Sequence, residues 1–144
     1  MKLILILVVL ACLSQAHNCL AADRIMVDAY THHSSGEWKR PNRMSWQHDL
    51  TEDLASDIGA GHNSYGKLSF NAGLIYQPLK VGSLSAGAFV SLVSGYTCEQ
   101  LKTCAVAGGL IASYEVGTVT MQVLYVPAIS DGVSVTQARI GMRF

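Results

Sequence analysis

With 144 residues the chain has room for one domain. Its 10 Lys+Arg balance 10 Asp+Glu, the formal net charge is +0, and no basic run marks a nucleic-acid partner. Charged residues make up 14% and hydrophobic residues 50%, against about 25% charged in a soluble domain, so much of the surface is expected to face something other than water.

Residues 1–21 read as a secretory signal peptide. Lys2 supplies the charged start, Leu3 to Leu13 is an apolar run too short to span a membrane, and Ser14-Gln15-Ala16 or Cys19-Leu20-Ala21 offers a cleavage site. Cleavage near Ala21 or Ala22 removes Cys12 and Cys19. The alternative is a lipoprotein, since Val9-Leu10-Ala11-Cys12 has the outline of a lipobox.

Residues 22–144 contain no run approaching the ~20 apolar residues of a membrane helix. The hydrophobic period is two instead, which marks strands. In chain order they are expected near residues 24–33, 43–50, 53–63, 68–77, 84–95, 105–114, 118–127 and 133–144, with a loop over 34–42. In the fourth, Leu68, Phe70, Ala72, Leu74 and Tyr76 alternate with Ser69, Asn71, Gly73, Ile75 and Gln77. In the seventh, Val119, Met121, Val123 and Tyr125 alternate with Thr118, Thr120 and Gln122. In the last, Ala138, Ile140, Met142 and Phe144 oppose Gln137, Arg139, Gly141 and Arg143, a face too polar for lipid and suited to a barrel interior. Turns are expected at Pro78 with Lys80 and Gly82, at Glu115 with Gly117, and from Pro127 through Asp131-Gly132.

The pattern predicts an all-β chain: an antiparallel up-and-down transmembrane barrel of about eight strands, the smallest usual number in a bacterial outer membrane. A secreted soluble barrel or sandwich would need frequent Lys and Glu on its outer face, and residues 105–144 carry only Glu115, Asp131, Arg139 and Arg143. Trp38 and Trp46 fit interfacial aromatics. His48 and Asp49 fit a turn on the periplasmic side. Arg139 and Arg143 are expected to point inward and pair with carboxylates such as Asp57 or Asp28. A final strand closing on Phe144 resembles the signal read by the outer-membrane barrel assembly machinery, which is one expected partner.

Cys98 and Cys104 remain after cleavage, in an oxidising compartment. A disulfide between them would close a small loop worth roughly 2 kcal/mol, less strain. Two free thiols are the other reading. Zinc is not expected, because Cys-x5-Cys lacks a partner pair at ligand spacing.

Counting eight strands from periplasmic termini puts the ends of the first and third strands on the outer rim. His33 then shares a rim with His62, Asn63 and Ser64. A histidine beside a serine hydroxyl suits acyl chemistry, the imidazole taking the proton. Polar turn residues of these types are also common in loops without catalysis.

The stretch Gly117 to Pro127, with Val119-Thr120-Met121-Gln122 and Tyr125-Val126-Pro127, resembles the seventh strand of the lipid A palmitoyltransferase (PagP) family. The ending Met142-Arg143-Phe144 is similar too. Thr31-His32-His33 stands where that family has Thr-Trp-His, and Asn63-Ser64 where it has Asp-Ser. The resemblance implies an outer-membrane enzyme moving an acyl chain from a phospholipid to lipid A, with no cofactor and no metal. It assigns His33 as base, Ser64 as the residue it assists, and Asn63 in the place of the orienting Asp; His62, on the same rim, is the alternative base. Asn63 cannot carry that Asp's negative charge, so Asp57 or Glu37 would have to supply it. The family's amphipathic N-terminal helix has no counterpart here. The alternative is a non-enzymatic barrel with a structural, surface-recognition or exclusion role. A cleared apolar pocket beside His33 and Ser64 would favour the enzyme; a plugged polar interior would favour the alternative.

Overall fold

A computed structural model describes residues 22–34, 42–63, 66–95, 104–128 and 134–144. They form eight strands: β1 (Asp23–His33), β2 (Met44–Asp49), β3 (Leu54–His62), β4 (Leu68–Val81), β5 (Leu84–Ser94), β6 (Cys104–Val116), β7 (Val119–Val126) and β8 (Val135–Arg143). Each pairs antiparallel with its chain neighbours, and β1 pairs with β8, so the sheet closes into a barrel.

Closure follows from the alternation. On β7, Thr120, Gln122 and Leu124 are buried and Met121, Val123 and Tyr125 exposed. On β4, Ser69, Asn71 and Ile75 are buried while Leu68, Phe70, Leu74 and Tyr76 face outward. The wall is thus apolar outside and largely polar inside, the inverse of a water-soluble barrel. Most of its large exposed side chains are Leu, Val, Ile, Met and aromatics.

One rim carries tight connections. Gly82-Ser83 joins β4 to β5 and Gly117-Thr118 joins β6 to β7, with Gly82 and Gly117 both at φ 60. A glycine first in a two-residue hairpin supplies the positive φ that a type II′ turn requires. The β2–β3 turn, Ala22 and Phe144 lie on this rim as well. Phe144 N–H donates to Asp23 O at 2.9 Å and fastens the chain end to β1. The longer connections leave from the opposite rim.

Two irregularities differ from the expected pattern. In β1 the pairing with β8 shifts between Asp28 and Tyr30, so Asp28 and Thr31 are both buried although an odd number of steps apart. A bulge of this kind inserts one residue and resets which face points inward. In β4 the strand does not stop at Pro78 but runs on to Val81. Pro78 falls where the β4–β5 register shifts between Tyr76 and Leu79, a place where its missing N–H breaks no ladder bond. β6 likewise continues through Glu115 to Val116.

The aromatic residues of the outer wall fall at two heights. Trp46, Tyr76 and Tyr114 lie towards the tight-turn rim, and Tyr30, Phe70 and Tyr125 towards the other. Trp46 donates from Nε1 to Asp23 Oδ1 at 3.1 Å, and His48 Nδ1 lies 2.7 Å from the same oxygen. His48 and Asp49 therefore sit on the tight-turn side, as their sequence context suggests.

Candidate functional site

The interior divides into two halves. Between β4, β5, β6 and β7, Ile75, Ile111 and Leu124 form an apolar cluster, with Ala55 and Phe89 packed against it. On the side of β8, β1, β2 and β3 the lumen is crossed at mid-height by a polar network centred on Asp57. Arg139 Nη2 donates to Asp57 Oδ1 at 2.7 Å, Ser45 Oγ at 2.8 Å and Gln47 Nε2 at 3.1 Å, while Asn71 Nδ2 donates to Oδ2 at 2.7 Å. Arg139 also donates to Ser45 Oγ, and its Nε lies 3.6 Å from Asp28 Oδ1. Arg43 Nε donates to Asp28 Oδ2 at 3.0 Å, and Arg43 Nη2 to Gln137 at 3.3 Å. Two carboxylates and two guanidinium groups thus neutralise one another out of water, the pairing that buried charges require.

Gly59 makes room for this network. A Cβ there would lie 2.6 Å from both Asn71 Oδ1 and Ser45 Cβ. The expected inward pairing of Arg139 with Asp57 and Asp28 is present. Arg143 reaches the tight-turn rim instead, 3.7 Å from Glu115. Asp57 is committed to four donors and is not available to orient an imidazole at the rim. Glu37 and Trp38 lie outside the described residues.

Below the network a cavity of about 380 Å³ opens on the tight-turn rim. Gln47 and Gln122 stand at its inner end and exchange two amide hydrogen bonds, 3.0 and 3.1 Å. Near its mouth Arg24 pairs with Asp49 on β2 and, at 2.9 Å, with Glu115 on β6. Gln77 and Ser113 bond one another in the wall. This cavity is lined by polar residues together with Leu54, Ile75 and Leu84, and lies at the end of the barrel away from His33.

Of the residues singled out for acyl chemistry, His33, His62 and Asn63 lie on the other rim. His33 ends β1 opposite Val135, His62 ends β3 opposite Leu68, and Asn63 follows it. β1 and β3 are separated by β2, so His33 and Asn63 are two strand spacings apart, roughly 10 Å. Ser64 lies outside the described residues, as does Cys98. Cys104 opens β6.

Asn63 has a structural task that the sequence did not signal. It is 4% exposed; its Oδ1 accepts from Lys67 N at 3.0 Å and its Nδ2 donates to Gly95 O at 2.9 Å. With Asn63 N–H donating to Lys67 O, it closes the β3–β4 connection and ties it to the end of β5. His62 sits on the outward phase of β3; its backbone N–H donates to Asn42 Oδ1 at 3.0 Å, and its Nδ1 lies 3.1 Å from the same oxygen. Asn63→Asp would turn a carboxylate oxygen towards the Gly95 carbonyl and lose a donor. The expected result is a loss of about 1–3 kcal/mol, read from the denaturant midpoint of the refolded barrel. An unchanged midpoint removes the clamp assignment.

No protein-family model and no curated protein matches this sequence. Among solved structures the chain is similar to a de novo designed transmembrane β-barrel, at 13% identity and TM-score 0.61, over 86% of this chain and 94% of that one. It is also matched to the crystal structure of Neisserial surface protein A, at 19% identity and TM-score 0.38, over 85% and 94% of the two chains. The chain has the fold of an eight-stranded transmembrane β-barrel.

Proposed function

We propose that this chain is an outer-membrane barrel that works without catalysis, as a sealed wall presenting its longer connections for surface recognition or envelope structure. The observation that carries this reading is the charged network across the lumen: an acyl chain entering beside His33 would meet Asp28, Asp57, Arg43 and Arg139. Hydrocarbon cannot satisfy those groups, and displacing them leaves buried charges unpaired. The apolar outer wall with its two aromatic levels fits a bilayer with interfacial girdles. By the usual orientation of such barrels the tight turns face the periplasm and the longer connections face outside. Residues 1–21 would then direct export, and the strand ending at Phe144 would engage the assembly machinery.

The acyl-transfer reading keeps one observation in its favour, the arrival of His33 and Asn63 on one rim. Mass spectrometry of lipid A from cells with and without the protein separates the two readings. The expected result is identical lipid A. An added acyl mass that disappears in Ser64→Ala would establish the enzyme. Cys98 and Cys104 would be bonded in the exported protein, closing a surface loop. Alkylation before and after reduction checks this, and labelling of both thiols without reductant would reject it.

A further inference from the structure

The lumen is not filled throughout by side chains. The cavity of about 380 Å³ runs in from the tight-turn rim and ends at the Gln47–Gln122 amide pair. Next to that pair, through Gln47 and Asp57, comes Arg139. Its side chain starts on β8 and ends on Asp57 of β3, so it bridges the polar half of the lumen past β1 and β2. The wall around it is built from small residues: Ser45 is buried at its side, and Gly59 and Gly141 leave no side chain of their own. An eight-stranded barrel is only just wide enough for side chains to fill. A few long side chains therefore close this half.

We propose that the lumen is a closed cation pathway, entered through the tight-turn cavity and passing Asp57 and Asp28 on the β8–β1–β2–β3 side, with Arg139 and the Gln47–Gln122 pair as its stopper. Shortening Arg139 leaves a void lined by Asp57, Asp28, Ser45 and Asn71, and a polar void of that size takes water. The charge then follows from the network. Asp28 and Asp57 against Arg43 and Arg139 are two and two; without Arg139 one negative charge is left facing the water, which favours cations. The apolar cluster of Ile75, Ile111 and Leu124 borders the path on its other side, Ile75 also lining the entry cavity.

The inference rests on the membrane-spanning reading, and the experiment keeps the two apart. Refolded wild-type protein and Arg139→Ser are added to planar phosphatidylcholine bilayers in potassium chloride. Insertion is checked separately, by the faster gel migration of unheated protein recovered from vesicles. Wild type is expected to insert and stay silent, whereas Arg139→Ser gives discrete current steps with potassium preferred over chloride. Inserted Arg139→Ser that carries no current, carries current with chloride preferred, or conducts no better than wild type would overturn the pathway. Wild type that fails to insert would instead overturn the membrane-spanning reading. Should Arg139→Ser not fold, the same outcomes are read on Arg139→Gln, which is shorter and uncharged but keeps a donor for Asp57.

Discussion

Replacing Asp57 with alanine is expected to cost about 3–5 kcal/mol of stability. The carboxylate receives Arg139, Ser45, Gln47 and Asn71 together, all buried. Its removal leaves the Arg139 guanidinium with only the Asp28 carboxylate, 3.6 Å away and already paired with Arg43, and takes an acceptor from Ser45, Gln47 and Asn71. The measurement is the urea midpoint of the barrel refolded in detergent micelles. Asp57→Ala/Arg139→Met tests the cause: removing both charges and refilling the space with an apolar side chain should recover at least half the loss, because a buried pair contributes little net stability over well-packed apolar residues. A double variant as unstable as Asp57→Ala would mean that packing, not the orphaned charge, sets the cost.

The second large effect belongs to the outer wall. Leu74 faces outward at mid-height on β4, paired with Ser56 and Val90, and is 45% exposed. On a soluble protein, arginine at such a position would change stability by no more than about 0.5 kcal/mol. At the midplane of a bilayer it costs about 2–4 kcal/mol. Folding Leu74→Arg into phospholipid vesicles and comparing its denaturant midpoint with wild type distinguishes these environments. A neutral result in vesicles would place water, not lipid, against this wall.

The barrel itself was legible because its signal is repeated. The inside–outside alternation of β4, β7 and β8 is present in the residues as ordered, and a period of two admits only a strand. The last strand even carries its interior charge in view, since Arg139 falls on the face shared with Gln137 and Gly141. Strand ends were less legible. Pro78 reads as a terminator, but a bulge absorbs it, and bulges depend on the partner strand. The extra residue in β1 was hidden for the same reason, although Asp28 and Thr31 both being polar on opposite phases is the trace it leaves. The site was legible only as a rim. Strand counting brings His33, His62 and Asn63 to one end, but the work of Asn63 depends on Lys67 and Gly95, and its bond to Gly95 spans 32 residues. No local pattern encodes such a contact. The cavity on the tight-turn rim left no trace at all, since Arg24, Gln47, Glu115 and Gln122 come together only when the sheet closes.

That closure is made by a single long-range ladder. Among the described residues every other pairing joins strands that follow one another in the chain, whereas β1 meets its partner only once β8 has been laid down. Until then the sheet has two open edges, and each unpaired backbone group would cost several kcal/mol in hydrocarbon. A ribbon of seven strands is therefore confined to water or to the membrane surface, where its bare edges invite pairing with another copy. Contacts between chain ends are also the slowest to form. On the membrane-spanning reading a half-inserted form is therefore disfavoured, and the barrel enters the bilayer as a complete wall or remains outside it.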